Sequence, residues 1–203
     1  LDEMHHVSSP TFSKVIDTNY CRYKIGLSGT IERKDGKHVV FRDYFGSKVF
    51  KPPKENFMTP EVHIVKSEIR FMDGARIPWA NRVTNLANNE EYRHTVALLA
   101  ATYAARGHKV LVVSDRVHFL RSCAELVGEN AICVTGEVPH EQREELLDEI
   151  NYGKKNILFG TQAEGKPTPA IVDIHLKGNT ARKQASNRMG FYMKQGWKIQ
   201  QIG

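Results

Sequence analysis

Two adjacent carboxylates open the chain, in the run Leu1-Asp2-Glu3-Met4-His5-His6. An α/β protein that ends a parallel strand in such a pair has a site for a divalent cation, because ligands gather where the carboxyl ends of the strands emerge. Asp2 then holds Mg²⁺, directly or through water, and Glu3 polarises an attacking water, an arrangement that suits nucleotide hydrolysis. A zinc site built from Asp2, His5 and His6 is the competing reading, since imidazole and carboxylate also suit that ion. The three cysteines, Cys21, Cys123 and Cys133, form no C-x-x-C pair and are odd in number, which argues against a disulfide framework and fits a reducing cytosol.

The second chemical signal is charge. The net charge of +6 comes from 29 basic and 23 acidic residues. From residue 166 onward there are seven Lys or Arg against one acid, Asp173, so this tail carries the whole excess. Such a cluster is the electrostatic footprint of a polyanion-binding surface, most often for nucleic acid. A solvated basic helix is the alternative. Trp79 and Trp197 are the aromatic candidates for base stacking.

These residues need elements to hold them. Ser9-Pro10 starts a helix with Phe12, Val15 and Ile16 inward, and the alternation Tyr23, Ile25, Leu27 reads as a strand entering a polar loop. Val39 to Phe41 and Val62 to Ile69 read as further strands, and 72–88, with Gly74, Pro78 and three Asn, as a linker. Beyond it, helical stripes alternate with apolar runs. Tyr92 to Tyr103 is followed by Val110 to Val113, Val117 to Val127 by Ala131 to Val134, and the helix opened by Pro139 by Ile157 to Phe159. Ile171 to Leu176, a helix from Asn179 to Gln195 stopped by Gly196, and a closing strand after Trp197 complete the chain. Repeated strand and helix units predict an α/β fold with a parallel sheet covered on both faces. No apolar run approaches the roughly 18 residues of a membrane helix, so the expectation is a soluble protein with no membrane partner.

Asp2-Glu3-Met4-His5, followed after a helix and a strand by Gly26-Leu27-Ser28-Gly29-Thr30-Ile31-Glu32-Arg33-Lys34-Asp35-Gly36, resembles motifs II and III of superfamily-2 helicases, with Gly29 and Ile31 where Ala and Pro are usual. Lys109 to Arg116 is similar to motif IV, Thr135-Gly136 to the element after it, and Asn156 to Gln162 to the start of motif V. Residues 171–182 resemble the closing segment of UvsW-like phage helicases, relatives of XPB.

The resemblance implies two RecA-like parallel-sheet domains, the first incomplete: 1–71, a linker 72–88, and 89–203. It implies ATP hydrolysis with Mg²⁺ and a DNA partner that is single-stranded, forked or branched, in the cytoplasm of a host if the protein is phage-encoded. Within it, Asp2, Glu3 and His5 are catalytic, with Asp2 the Mg²⁺ ligand, and Ser28 and Thr30 couple hydrolysis to the DNA. Ser114, Arg116 and Thr161 meet DNA phosphate, and the basic residues Lys177, Arg182, Lys183 and Arg188 are added as nucleic-acid contacts. Two family parts are missing: a G-x-x-x-x-G-K-[ST] loop and a Q-x-x-G-R-x-x-R segment, for which Gln184 to Arg188 is a superficial substitute only. The chain by itself is therefore expected to be inactive as an ATPase, and a non-catalytic nucleic-acid-binding remnant is the alternative function.

Overall fold

The structure is a computed structural model that describes residues 1–28, 39–51, 59–74, 76–161 and 170–202. The chain divides into two compact units, Leu1–Phe57 and Met58–Gly203.

In the first unit a 3-10 turn, Met4–Ser8, leads into helix α1, Pro10–Asp17, and α2 spans Val39–Phe45. Ser9 stands at the N-cap of α1 and Pro10 at its first turn, where a missing N–H costs nothing. Met4, Val7, Ile16 and Phe41 form the small core. Ile16 alone of the expected α1 stripe is buried, while Phe12 and Val15 face solvent. Two strand expectations are corrected. Val39–Phe45 is helical, because Phe41 then reaches the core from one face. Tyr23 to Leu27 is not part of a sheet, although its backbone is hydrogen-bonded to the first residues of the chain.

The second unit holds six strands and five helices among the described residues. Strand β1, Glu61–Arg70, pairs in parallel with β5, Ala170–Lys177, and with β6, Lys198–Ile202. A second parallel sheet has the order β2-β4-β3, from Val110–Val113, Ile157–Gly160 and Ala131–Val134. The parallel pairing expected from the sequence is present, in two three-stranded sheets among the described residues. The helices are α3, Trp79–Asn88; α4, Glu90–Ala105; α5, Val117–Val127; α6, His140–Asn151; and α7, Asn179–Gln195.

Val96, Ala100 and Ala104 of α4, with Phe119, Leu120 and Cys123 of α5, pack on Ile157 and Phe159 of β4. Tyr192 of α7 packs on Val62 and Ile64 of β1. Two elements fall elsewhere than expected. β1 belongs to the second unit, since both its neighbours in the sheet lie there. Residues 79–88 of the expected linker form α3, whose Ala87 enters the core beside α4.

Candidate functional site

In the first unit the carboxylate pair and the Ser28 loop lie side by side. Leu1 N donates to Ile25 O at 2.6 Å, Leu27 N to Leu1 O at 2.8 Å, and Met4 N to Leu27 O at 2.9 Å. These three bonds join segments 24 residues apart in the manner of a short parallel ladder. Gly26 permits the approach, because Met4 occupies the space a side chain there would fill. Asp2 is exposed, and its Oδ1 accepts from Glu3 N at 2.8 Å. Glu3 adopts left-handed backbone angles, φ 50° and ψ 45°, and is the single non-glycine residue with positive φ among the described residues. Such a conformation costs roughly 1–2 kcal/mol and, where it persists, the surrounding contacts hold it.

His5 lies in the 3-10 turn, its side chain outside the described residues, as is Thr30. His6 stacks on Phe12 with ring centroids 5.6 Å apart. Among the described residues no three His, Cys, Asp or Glu come together as a metal cluster. One carboxylate already engaged with the backbone, and no phosphate-cradling loop in the sequence, do not make up a nucleotide or Mg²⁺ site by themselves.

In the second unit the expected contacts gather at one end of a sheet. Val113, Gly160 and Val134 are level across β2, β4 and β3, so the residues that follow them, Ser114, Thr161 and Thr135, emerge together at the carboxyl edge. Ser114 N donates to Gly160 O at 3.3 Å, and Ser114 Oγ accepts from Arg116 N at 3.1 Å. Arg116 places Nη1 3.4 Å from Asp115 Oδ2, while its Nε is buried with no partner among the described residues. Thr135 is buried and its Oγ1 likewise has none. Arg143 of α6 donates Nη2 to Thr135 O at 3.5 Å and Val138 O at 3.3 Å, steadying the turn after β3. Hydroxyls and a guanidinium on one sheet edge can take phosphate oxygens. The sequence reading does not include Thr135 and Arg143 among the contacts. The signal for Thr135 is its position after an apolar strand, the same as that of Ser114 and Thr161.

The basic tail divides. Arg182 and Lys183 are exposed on α7, the former with Nη2 3.4 Å from Asn179 Oδ1. Lys177 pairs with Glu68, and Lys198 lies 3.1 Å from Glu61. Arg188 is turned inward: Nε lies 2.9 Å and Nη2 2.7 Å from the two carboxylate oxygens of Asp173, which also accepts from Tyr192 Oη at 3.2 Å. Hydrogen bonding to Asp173 raises the Arg188 pKa above its ordinary value, and burial raises that of Tyr192. The polyanion contacts expected on charge alone therefore include one residue already held in an ion pair, with Asp173. Trp197 stacks on Tyr192, centroids 5.7 Å apart, and Trp79 tilts against Phe71 at 5.5 Å.

Comparison with known proteins gives these arrangements a context. The family model described as the helicase conserved C-terminal domain matches residues 90–166. The chain is 32% identical over 238 residues to the probable helicase D10 of Escherichia phage T5, covering 98% of this chain and 53% of that protein. It is 26% identical over 166 residues to the helicase/translocase subunit XPB of Schizosaccharomyces pombe, covering 76% and 20%. At 23% over 235 residues it also matches the DNA 3'-5' translocase XPB2 of Sulfurisphaera tokodaii, covering 93% and 54%.

Among solved structures, UvsW of phage T4 is similar with a TM-score of 0.54 at 17% identity, over 99% of this chain and 53% of that one. Dbp5 of Saccharomyces cerevisiae bound to RNA and ADP BeF3 has a TM-score of 0.61 at 10% identity, over 100% and 58%. The fold is thus that of RecA-like helicase domains. The chain spans about half the length of the T5 and Sulfurisphaera relatives. The chain thus resembles superfamily-2 helicases of the UvsW/XPB kind over nearly its whole length.

Proposed function

We propose that this chain is part of an ATP-dependent DNA helicase or branched-DNA translocase, its first unit contributing the end of one RecA-like domain and its second unit most of the other. The backbone ladder that sets Asp2-Glu3 beside Leu27-Ser28 is the observation that carries the reading. It joins the two segments that such an enzyme needs together, one for hydrolysis and one to pass its state onward. Glu3 is the base toward water, Asp2 the Mg²⁺ ligand, His5, Ser28 and Thr30 the transmitting groups. Ser114, Arg116, Thr161 and Thr135 at the carboxyl edge of β2-β4-β3 meet the DNA backbone, with Arg182 and Lys183 adding charge from α7.

The test is Glu3→Gln in the complete protein. DNA-stimulated ATP turnover disappears while nucleotide binding persists, since the amide keeps the shape without the basicity; unchanged turnover removes the assignment. In the same protein Ser28→Ala/Thr30→Ala keeps much of the ATPase and loses strand separation.

A second reading, a nucleic-acid-binding remnant without ATP chemistry, draws support from Arg188, which is bound to Asp173 and so supplies no arginine finger. Absence of DNA-stimulated ATPase in the complete protein, with DNA binding retained, selects it.

A further inference from the structure

Helix α7 carries one stripe that turns away from the sheet. Residues three or four apart are neighbours on a helix, and eleven residues make very nearly three turns, so Lys183, Asn187, Gly190 and Lys194 fall in line. All four are exposed. Lys183 and Lys194 stand about 16 Å apart along the axis, from the helical rise of about 1.5 Å per residue.

Phe191 lies beside this stripe and is 51% exposed, on a helix whose Ala181, Ala185 and Tyr192 are buried. Its ring is braced. Trp197 meets it at 5.5 Å with the planes 89° apart, and Trp197 in turn stacks on Tyr192 with the planes 22° apart. Gly196, in a left-handed conformation, ends the helix and returns the chain, so that Trp197 N donates to Tyr192 O at 3.1 Å. Tyr192 is itself tied to Asp173. The indole that the sequence offers for stacking is therefore engaged with the protein, and Phe191 is the most exposed ring of the three.

Gly190 is not required by the fold. Glycine in a helix interior is less favourable than alanine, yet a Cβ at position 190 would meet nothing within 4 Å. What its bare backbone does provide is room for a flat group to lie close beside Phe191. Charge identifies the group. From residue 166 onward seven Lys or Arg stand against one acid, Asp173, and that carboxylate is held by Arg188. An exposed aromatic ring between two cations suits a strand that carries both phosphates and unpaired bases. Duplex DNA, whose bases are stacked on one another, offers the ring nothing.

We infer that α7 carries a stacking site for an unpaired nucleobase: Phe191 lies against the base, Gly190 admits it, and Lys183 and Lys194 meet phosphates on either side. This rests on the DNA-binding reading above and adds a preference for single strands. The hydroxyls and guanidinium at the carboxyl edge of β2-β4-β3 meet a backbone that single strands and duplexes share. Because every base has a π-face, the site tolerates any sequence.

The experiment measures the affinity of the 203-residue chain for an oligothymidylate of about 12 nucleotides and for a duplex of equal length, by fluorescence anisotropy against salt. Phe191→Ala weakens single-strand binding by about tenfold and leaves duplex binding and the salt slope unchanged, since stacking releases no counterion; Phe191→Trp keeps the parent affinity. Gly190→Leu, which a helix accommodates better than glycine, covers the open surface and weakens single-strand binding by about fivefold. Lys194→Ala instead lowers the single-strand salt slope by about 0.7. Ultraviolet cross-linking of a bromodeoxyuridine strand to the parent chain maps to Phe191. Equal single-strand affinity of the parent and Phe191→Ala, equal losses on single strand and duplex, or a cross-link that maps off α7 overturns the proposal and leaves the helicase reading standing. Failure of the parent chain to bind either DNA overturns both. Should Phe191→Ala fail to fold, Gly190→Leu and the cross-link decide.

Discussion

Gly26 is pressed against Met4: a Cβ at position 26 would collide with the methionine sulfur and stand 3.1 Å from the methionine Cβ. The same two residues flank the hydrogen bond from Met4 N to Leu27 O, so the packing fixes the distance between the carboxylate pair and the Ser28 loop. Gly26→Ala is expected to destabilise the first unit by about 1–3 kcal/mol through overpacking. In a Met4→Ala background the same substitution costs less, by about 1 kcal/mol or more, because the two residues share one space. Urea denaturation of the parent, both single variants and the double variant measures this; strict additivity refutes it.

Arg188 and Asp173 act as a structural pair. Arg188→Ala leaves a buried carboxylate without its main partner and is expected to cost about 2 kcal/mol, below the roughly 3–5 of a fully buried pair because the guanidinium side chain is 41% exposed. The DNA-binding experiment separates it from its neighbours on α7. Arg182→Ala/Lys183→Ala lowers the slope of log affinity against log salt by about 0.7–0.9 for each phosphate that is no longer neutralised, similarly across sequences, whereas Arg188→Ala leaves the slope unchanged in the fraction that remains folded. Equal slopes for all three proteins would remove α7 from the interface.

Asp73 caps α7 from outside the helix, its carboxylate accepting from Asn179 N and Thr180 N, each at 2.8 Å. These bonds to Thr180 and Asn179 hold its pKa below the ordinary 3.8. The unfolded chain therefore takes up this proton first, and the stability contributed is complete above pH 3.8 and lost as pH falls through the lower folded value. Asp73→Asn flattens this part of the acid limb of the stability curve, measurable as melting temperature against pH. An unchanged limb would show that the cap does not act through charge.

Cys123 of α5 is buried against α4, and desolvation pushes its thiol up to about 11. At pH 8 the thiolate is then about 0.1% of the population, and burial restricts access further. Iodoacetamide at that pH labels the exposed Cys21 and spares Cys123, as peptide mass mapping reads. The linkage has the opposite sign to that of Asp73: stability from the buried thiol is full below pH 9 and declines as pH rises toward 11.

Much of the second unit is legible in the sequence because its helices are punctuated. Gly107, Gly128 and Gly196 follow α4, α5 and α7 with φ of 87°, 83° and 70°, values that a residue with a side chain rarely adopts. The buried faces are less legible: Leu120, Ala124 and Val127 of the apolar stripe on α5 pack at the core, but Phe119 and Cys123, outside that stripe, are buried there as well. Val39 to Phe41 misleads because a short apolar run has no period of its own, and the burial of Phe41 beside Ile16 decides for helix. Trp79–Asn88 misleads in the opposite sense, its Asn residues suggesting a loop while one face packs inward.

At the candidate sites, the motif positions after β2 and β4 are readable from strand ends alone. The inward turn of Arg188 is not, since its partner Asp173 lies on another element and local sequence carries no trace of that pairing. Asp73 is hidden for the same reason, within a stretch that reads as linker.

The two sheets also differ in when they can form during synthesis. All three strands of β2-β4-β3 lie within residues 110–160. β1, by contrast, waits for partners that begin at Ala170 and Lys198. Loop closure over such separations slows pairing, and chains are made from the N-terminal end at roughly 5–20 residues per second. For that interval the backbone groups of Glu61–Arg70 emerge from the ribosome without their final neighbours. A nascent chain stalled before Ala170 therefore exposes one long β-prone segment, and this strand is where chaperone binding and premature aggregation concentrate.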